Sequence, residues 1–193
     1  HYSKTYDSGI FVLLDAAYQT GTLKEPELDI AAYMVRFELA YNFDIDWNPL
    51  VGVGIDLTSG DDPETEDTYE GFDNLYYTSH SFRGYMDYFT ASNTAGLQDL
   101  FLRLKAHPTD KMRLALDVHS FSTQQDFVSA DDESDATNLG MEVDLTCSVK
   151  LHDYLKADAG LGYFAPSDDW LGTEAAEGLW GFLQLTAYFN RML

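Results

Sequence analysis

Cysteine is nearly absent: Cys147 is the single one among 193 residues. The chain therefore has no internal disulfide and no multi-cysteine metal motif. Basic residues are scarce as well, 11 Lys and Arg against 33 Asp and Glu, for a net charge of −22. A nucleic-acid partner needs a basic footprint, so none is expected, and a polybasic hold on anionic lipid is excluded too. Taken alone, such a charge also suits a solvated surface. Long hydrophobic runs are missing: nothing approaches the ~20 consecutive apolar residues of a spanning helix. Yet 45% of residues are hydrophobic and 15% aromatic, at a mean hydropathy of −0.26. If the chain crosses a membrane, it crosses with strands. It opens His1-Tyr2-Ser3-Lys4 without a leader, as a processed chain or a piece of a longer one would.

What is present in abundance is alternation with period two, the signature of strands with one apolar face. Tyr33, Val35, Phe37, Leu39 and Tyr41 oppose Met34, Arg36, Glu38, Ala40 and Asn42. Val51, Val53, Ile55 and Leu57 oppose Gly52, Gly54 and Asp56. The runs from Asp99, Lys111, Leu139 and Leu155 repeat the pattern, with weaker versions at Gly9–Thr20 and Leu179–Phe189. The expected fold is all-β: an antiparallel transmembrane β-barrel segment of about eight strands, spanning 1–193 as one unit. Strands of ~9–11 residues are long enough to cross a tilted bilayer. A soluble sandwich alternates as well, and three features favour the membrane. The polar faces carry opposite charges strand after strand. Aromatics gather near strand ends (Tyr18, Tyr41, Phe43, Trp47, Tyr154, Tyr163, Trp180 and Phe189), as in interfacial girdles. Connections alternate between short (Asp44–Asn48, His107–Asp110, Leu151–Tyr154) and long (Gly21–Glu27, Ser59–Gly96, Ser122–Ala136, Pro166–Gly178). Short periplasmic turns and long outer loops are the barrel pattern. Residues 59–96 form the longest connection, expected to lie outside or to fold inward over the pore mouth with Arg83, Tyr85 and Asp87; the alternative is two extra strands.

Most unbalanced acid lies in the long stretches, while the strands are nearly balanced. Arg36, Glu38, Asp56, Arg83, Asp87, Asp99, Arg103, Lys105, Arg113, Asp117, His119, Glu142 and Asp144 are the candidate lumen residues. Charged linings set field and selectivity in pores; the alternative is a static ion-pair network that fills the interior, as in a closed eight-stranded barrel. The basic members would attract an anionic solute, and the acidic ones would hold them in place. His119 shares a face with Asp117, an acid–base spacing, but no nucleophile elbow accompanies it and a hydrogen-bonded lumen histidine is the preferred reading. His80, His107 and His152 show no zinc spacing. Asp131, Asp132, Glu133 and Asp135 offer oxygen ligands of the kind Ca²⁺ takes, without an EF-hand pattern; solvated acidic loops are preferred. No enzyme activity and no cofactor are expected.

Particular stretches add a family likeness. LYYTSHSFRGYMDYF from Leu75, GLQDLFLRLKAHPTDKMRLALDVHSF from Gly96 and NLGMEVDLTCSVKLHDYLKADAGLGYFAP from Asn138 resemble the alginate export family of outer-membrane porins, chiefly from Gly71 onward. The resemblance implies an 18-stranded barrel about twice this length, of which this chain would supply the C-terminal part, in the Gram-negative outer membrane. It also implies transport of an anionic polysaccharide. The resulting expectation is a porin-like channel for passive passage of a hydrophilic, saccharide-type solute. Its partners would be outer-membrane lipid, lipopolysaccharide, and a missing barrel half or second copy that pairs the open strand edges. The rivals are a plugged structural or adhesive barrel with acidic loops, and a soluble carbohydrate-binding β-sandwich.

Overall fold

The computed structural model describes residues 1–25, 27–75, 80 and 82–189. Its elements are β1 (Tyr2–Thr5), β2 (Ile10–Lys24), β3 (Glu27–Asn42), β4 (Leu50–Thr58), β5 (Thr68–Tyr69), β6 (Leu97–Thr109), β7 (Met112–Val128), β8 (Asp135–His152), β9 (Leu155–Pro166), the four-residue helix α1 (Asp168–Leu171) and β10 (Gly178–Ala187). One antiparallel sheet runs β1-β2-β3-β4-β6-β7-β8-β9-β10, and β5 adds a short parallel pairing to β3. Eight of these strands are long. Sequence neighbours pair throughout, apart from β4 and β6, which meet across residues 59–96. Such a meander follows when each alternating run is joined to the next by a reverse turn. No pairing joins β1 to β10 among the described residues, so the sheet is an arc with two edges.

The two faces are inverted relative to a soluble sheet. The polar side is the buried one: Arg36, Glu38, Asp56, Asp99, Asp117, His119, Glu142 and Asp144 are all buried. The apolar side is open: Leu100 is 48% exposed, Leu145 49% and Leu161 60%. No second sheet covers these side chains among the described residues. A continuous apolar face of this extent is the mark of contact with another apolar phase, and the sandwich reading does not fit a single sheet. Paired tyrosines, Tyr18 and Tyr33, stand near the loop end of this face. Tyr41, Phe43 and Trp47 stand at the turn end, all exposed. From Tyr33 to Tyr41 a strand advances about 26 Å at ~3.3 Å per residue, or about 20 Å of height at a ~40° tilt. That is close to the apolar band of an outer-membrane barrel.

Three expectations need correction. Gly21–Glu27 is no long loop: β2 and β3 stay paired out to Lys24 and Glu27, because Thr22 faces Asp29 and Leu23 faces Leu28 in continuous register. Ser122–Ala136 shrinks likewise, since β7 runs to Val128 and β8 starts at Asp135. Polar composition there suggests a loop, whereas polar strands can pair beyond an apolar band. Trp180 does not belong to an interfacial girdle. It lies opposite Gly162 on the same face as Asp144, turned towards the concave side.

Candidate functional site

The concave face is built in rows, because the strand register places every second residue of adjacent strands side by side. One row is Arg36, Asp56 and Asp99; the next is Glu38, Gly54, Phe101, His119, Glu142 and Phe164. The next row holds Arg103, Asp117, Asp144, Gly162 and Trp180. Lys105 follows nearer the turns, and then Arg113 beside Ser148 and Asp158.

Within this grid the charges pair across strands. Arg36 Nη1 lies 3.1 Å from Asp56 Oδ2, and Arg83 Nη2 reaches the other oxygen of Asp56 at 3.2 Å. Arg103 bridges Asp117 at 2.9 Å and Glu38 at 3.2 Å. Gly54 makes room for the centre of the network: a Cβ there would sit 2.3 Å from Phe101 Cζ. The Phe101 ring then lies 5.3 Å from both the Arg36 and the Arg103 guanidinium carbons, and Phe82 covers Arg36 at 4.0 Å. Planar guanidinium groups suit such stacking.

His119 pairs with Asp99 across the strand boundary, Nδ1 lying 2.9 Å from the carboxylate, and not with Asp117 two residues away. Its ring also stacks on Phe121 at 5.6 Å. Asp117 is engaged by Arg103, so the acid–base spacing seen in the sequence does not become a contact. Removing the Asp99 carboxylate strands a buried imidazole. Asp99→Ala is expected to lower stability by about 1–3 kcal/mol, with partial recovery in Asp99→Asn, read from denaturant midpoints of the folded chain.

Among the described residues no arginine pairs with Glu142 or Asp144. Instead they accept backbone N–H groups from the connection between β5 and β6: Met86 N donates to Glu142 Oε1 at 2.8 Å, and Tyr85 N to Asp144 Oδ2 at 3.0 Å. Arg83 adds its link to Asp56 and donates from Nη1 to the Phe89 carbonyl at 3.3 Å. Residues 82–89 thus lie along the polar face. The backbone there is tight: His80, Arg83 and Asp87 all have positive φ, at 59°, 57° and 58°, and Gly84 has φ 81°. Asp87 accepts from His80 N at 2.9 Å. At the loop end Phe89 packs with Phe121, Phe164, Leu97 and Leu139, and Trp170 of α1 closes that cluster. Alternation puts Phe101 and Phe164 on the charged face, in the runs from Asp99 and Leu155; it does not show that Phe89 of the connection and Trp170 of α1 close over Phe164 and Phe121 there. Tyr76–Ser79, Ser81 and Asn190–Leu193, parts of the motif from Leu75 and of the C-terminal run, lie outside the described residues.

Two of the predicted lumen cations stand apart: no carboxylate comes within 4.0 Å of Lys105 or Arg113 among the described residues. Near the sheet ends, Lys150 lies 2.7 Å from Asp153 and holds that carboxyl below the usual carboxylate range. Asp132 is held low by the Ser134 hydroxyl and amide, which both donate to it. Asp131, Glu133 and Asp135 do not join it in a cluster able to hold a metal among the described residues.

An antiparallel sheet that turns an apolar face outward and ion-pairs its inner face is the wall of a membrane-spanning β-barrel. The model of the alginate export family matches residues 2–174, and the chain belongs to that family. It is a family of outer-membrane β-barrels of the porin type, concerned with transport and not an enzyme family. The match starts at Tyr2, well before the stretch from Gly71 that carried the resemblance, and stops ahead of β10. No curated protein matches the chain.

Proposed function

We propose that this chain forms the charged wall of an outer-membrane channel through which a hydrophilic, saccharide-type solute passes passively. The observation that carries this reading is the inverted sheet, apolar outward and ion-paired inward. A water-filled lumen needs such a lining, and a bilayer needs the opposite face. Passage involves no covalent step. Width is set by residues 82–89 on the wall, and field by the arginines and their carboxylates. Arg36, Arg83 and Arg103 are each neutralised by paired acids, so Lys105 and Arg113 dominate the attraction of an anionic solute.

The two sheet edges carry unpaired backbone groups that lipid does not tolerate. Further strands of the same protein close them in this reading, and a second copy is the alternative. Acidic outer loops meet lipopolysaccharide through bridging divalent ions.

The test is charge reversal. Arg103→Glu/Arg113→Glu is expected to turn the reversal potential of the reconstituted channel towards cations; unchanged selectivity would remove these residues from the lumen. A second reading, a plugged structural or adhesive barrel, draws on the aromatic cluster of Phe89, Phe121, Phe164 and Trp170, which closes off part of the loop end. Liposome swelling separates the two, since a plugged barrel admits no sugar.

A further inference from the structure

An open pocket of about 510 Å³ lies between His80 and Tyr85 on one side and the wall at β10 on the other. Its apolar side is a run of rings. His80 stacks on Trp180 at 5.4 Å, Tyr85 stacks on Phe182 at 6.1 Å with planes 6° apart, and Trp180 and Phe182 stand 5.2 Å apart. Glycines opposite make the room: a Cβ at Gly160 would lie 2.3 Å from Phe182, and one at Gly162 would lie 2.8 Å from Asp144 Oδ1. The polar side carries Arg113, Lys156, Gln184 and Thr186. Lys156 is occupied by Asp158 at 2.7 Å, and Asp158 also accepts from the Ser148 hydroxyl. Arg113 has no such carboxylate among the described residues.

A pocket with aromatic walls and a few convergent polar groups is a small-molecule site. Flat rings offer a negative face to polarised C–H groups, which a pyranose presents on one side while its hydroxyls point to the rim. A guanidinium beside that rim matches a carboxylate bidentately. We infer that Tyr85, Trp180 and Phe182 form a shelf on which one pyranose ring of a passing oligosaccharide stacks, with Arg113 reading an acid group at its edge. The inference rests on the lumen reading above and goes beyond it in naming a binding site. One ring of the shelf belongs to the inward segment and two to the wall, so the complete site exists only while that segment is seated. Occupancy and seating then favour each other reciprocally.

The full chain, folded in an amine-oxide detergent so that no sugar-headed amphiphile competes, is titrated calorimetrically with a neutral gluco-oligosaccharide and with an oligouronate of equal length. Both are expected to bind, the oligouronate more tightly. Phe182→Ala in the wall and Tyr85→Ala in the segment should each weaken both ligands about tenfold, in line with one lost stacking contact. Arg113→Gln should remove only the oligouronate's advantage. Either ligand should also slow tryptic cleavage after Arg83 in the unaltered chain. Absence of binding to the folded chain, both aromatic variants within twofold of the unaltered chain, or cleavage indifferent to sugar would each overturn the shelf. Calorimetry needs no pore, so a channel that conducts but binds neither oligomer sinks the shelf and leaves the passage reading standing.

Discussion

Trypsin is expected to cut the Gly84→Ala variant after Arg83 under conditions in which the unaltered chain resists. Arg83 is 3% exposed, so its peptide bond reaches a protease only when residues 82–89 leave the wall. Gly84 has φ 81°, and a Cβ there would lie 2.3 Å from Glu142 Oε1 and 2.5 Å from its Cδ. Left-handed backbone costs a non-glycine residue about 1–3 kcal/mol. The collision also displaces the oxygen that accepts from Met86 N, and a buried donor left without its partner costs about 1–3 kcal/mol. Together these make about 2–6 kcal/mol, or roughly one and a half to four decades in the ratio of seated to released segment at ~1.4 kcal/mol per decade. Glu142 has little freedom to step aside, being fully buried in the middle of β8. Gly172→Ala is the control: φ there is 82° and nothing lies within 4 Å of the added Cβ. It shares the backbone cost without the collision and should leave the Arg83 bond protected. Equal resistance of the Gly84→Ala and unaltered chains would mean that the carboxylate pair does not hold the segment.

The second large effect is expected on the opposite face, from arginine placed at two depths of one strand. Leu145 lies mid-way along β8 and Leu151 at its turn end; both face outward, 49% and 52% exposed. In a bilayer, Leu145→Arg should destabilise the folded state by about 2–4 kcal/mol and Leu151→Arg by about 0–1 kcal/mol. In water the two would behave alike, because exposed substitutions away from special contacts change stability by within about 0.5 kcal/mol. The midpoint difference between the two variants, measured by denaturant titration in liposomes, therefore reports the solvent of that face. Equal midpoints would place the leucines in contact with water or protein rather than acyl chains. The comparison is internal to one strand and needs no knowledge of how the sheet edges are closed.

The two experiments probe the two sides of one sheet, and the sides were unequally legible in the sequence. Leu100, Leu102, Leu145 and Leu161 could be assigned to the outer face from alternation alone, since neighbouring side chains on a strand point to opposite sides. The same rule put Arg36, Glu38, Arg103 and Asp117 together on the inner face. It did not say that Asp99 would take His119, because a contact between strands depends on register, and register emerges from the pairing of whole strands. Nor did it place Trp180: an aromatic near a strand end serves either face, and only the pairing with Gly162 turns it inward.

Composition and period two thus determined the class of fold, the number of long strands and which side of each is apolar, since these follow from local chain geometry and the alternation of polarity. Tertiary structure alone decided where the polar strands stop and that Glu142 and Asp144 grip backbone amides instead of arginines. It alone also brought Tyr85 against Phe182. Each of these joins residues distant in sequence, and their meeting depends on the balance of many weak contacts across the sheet, which no stretch of chain encodes locally.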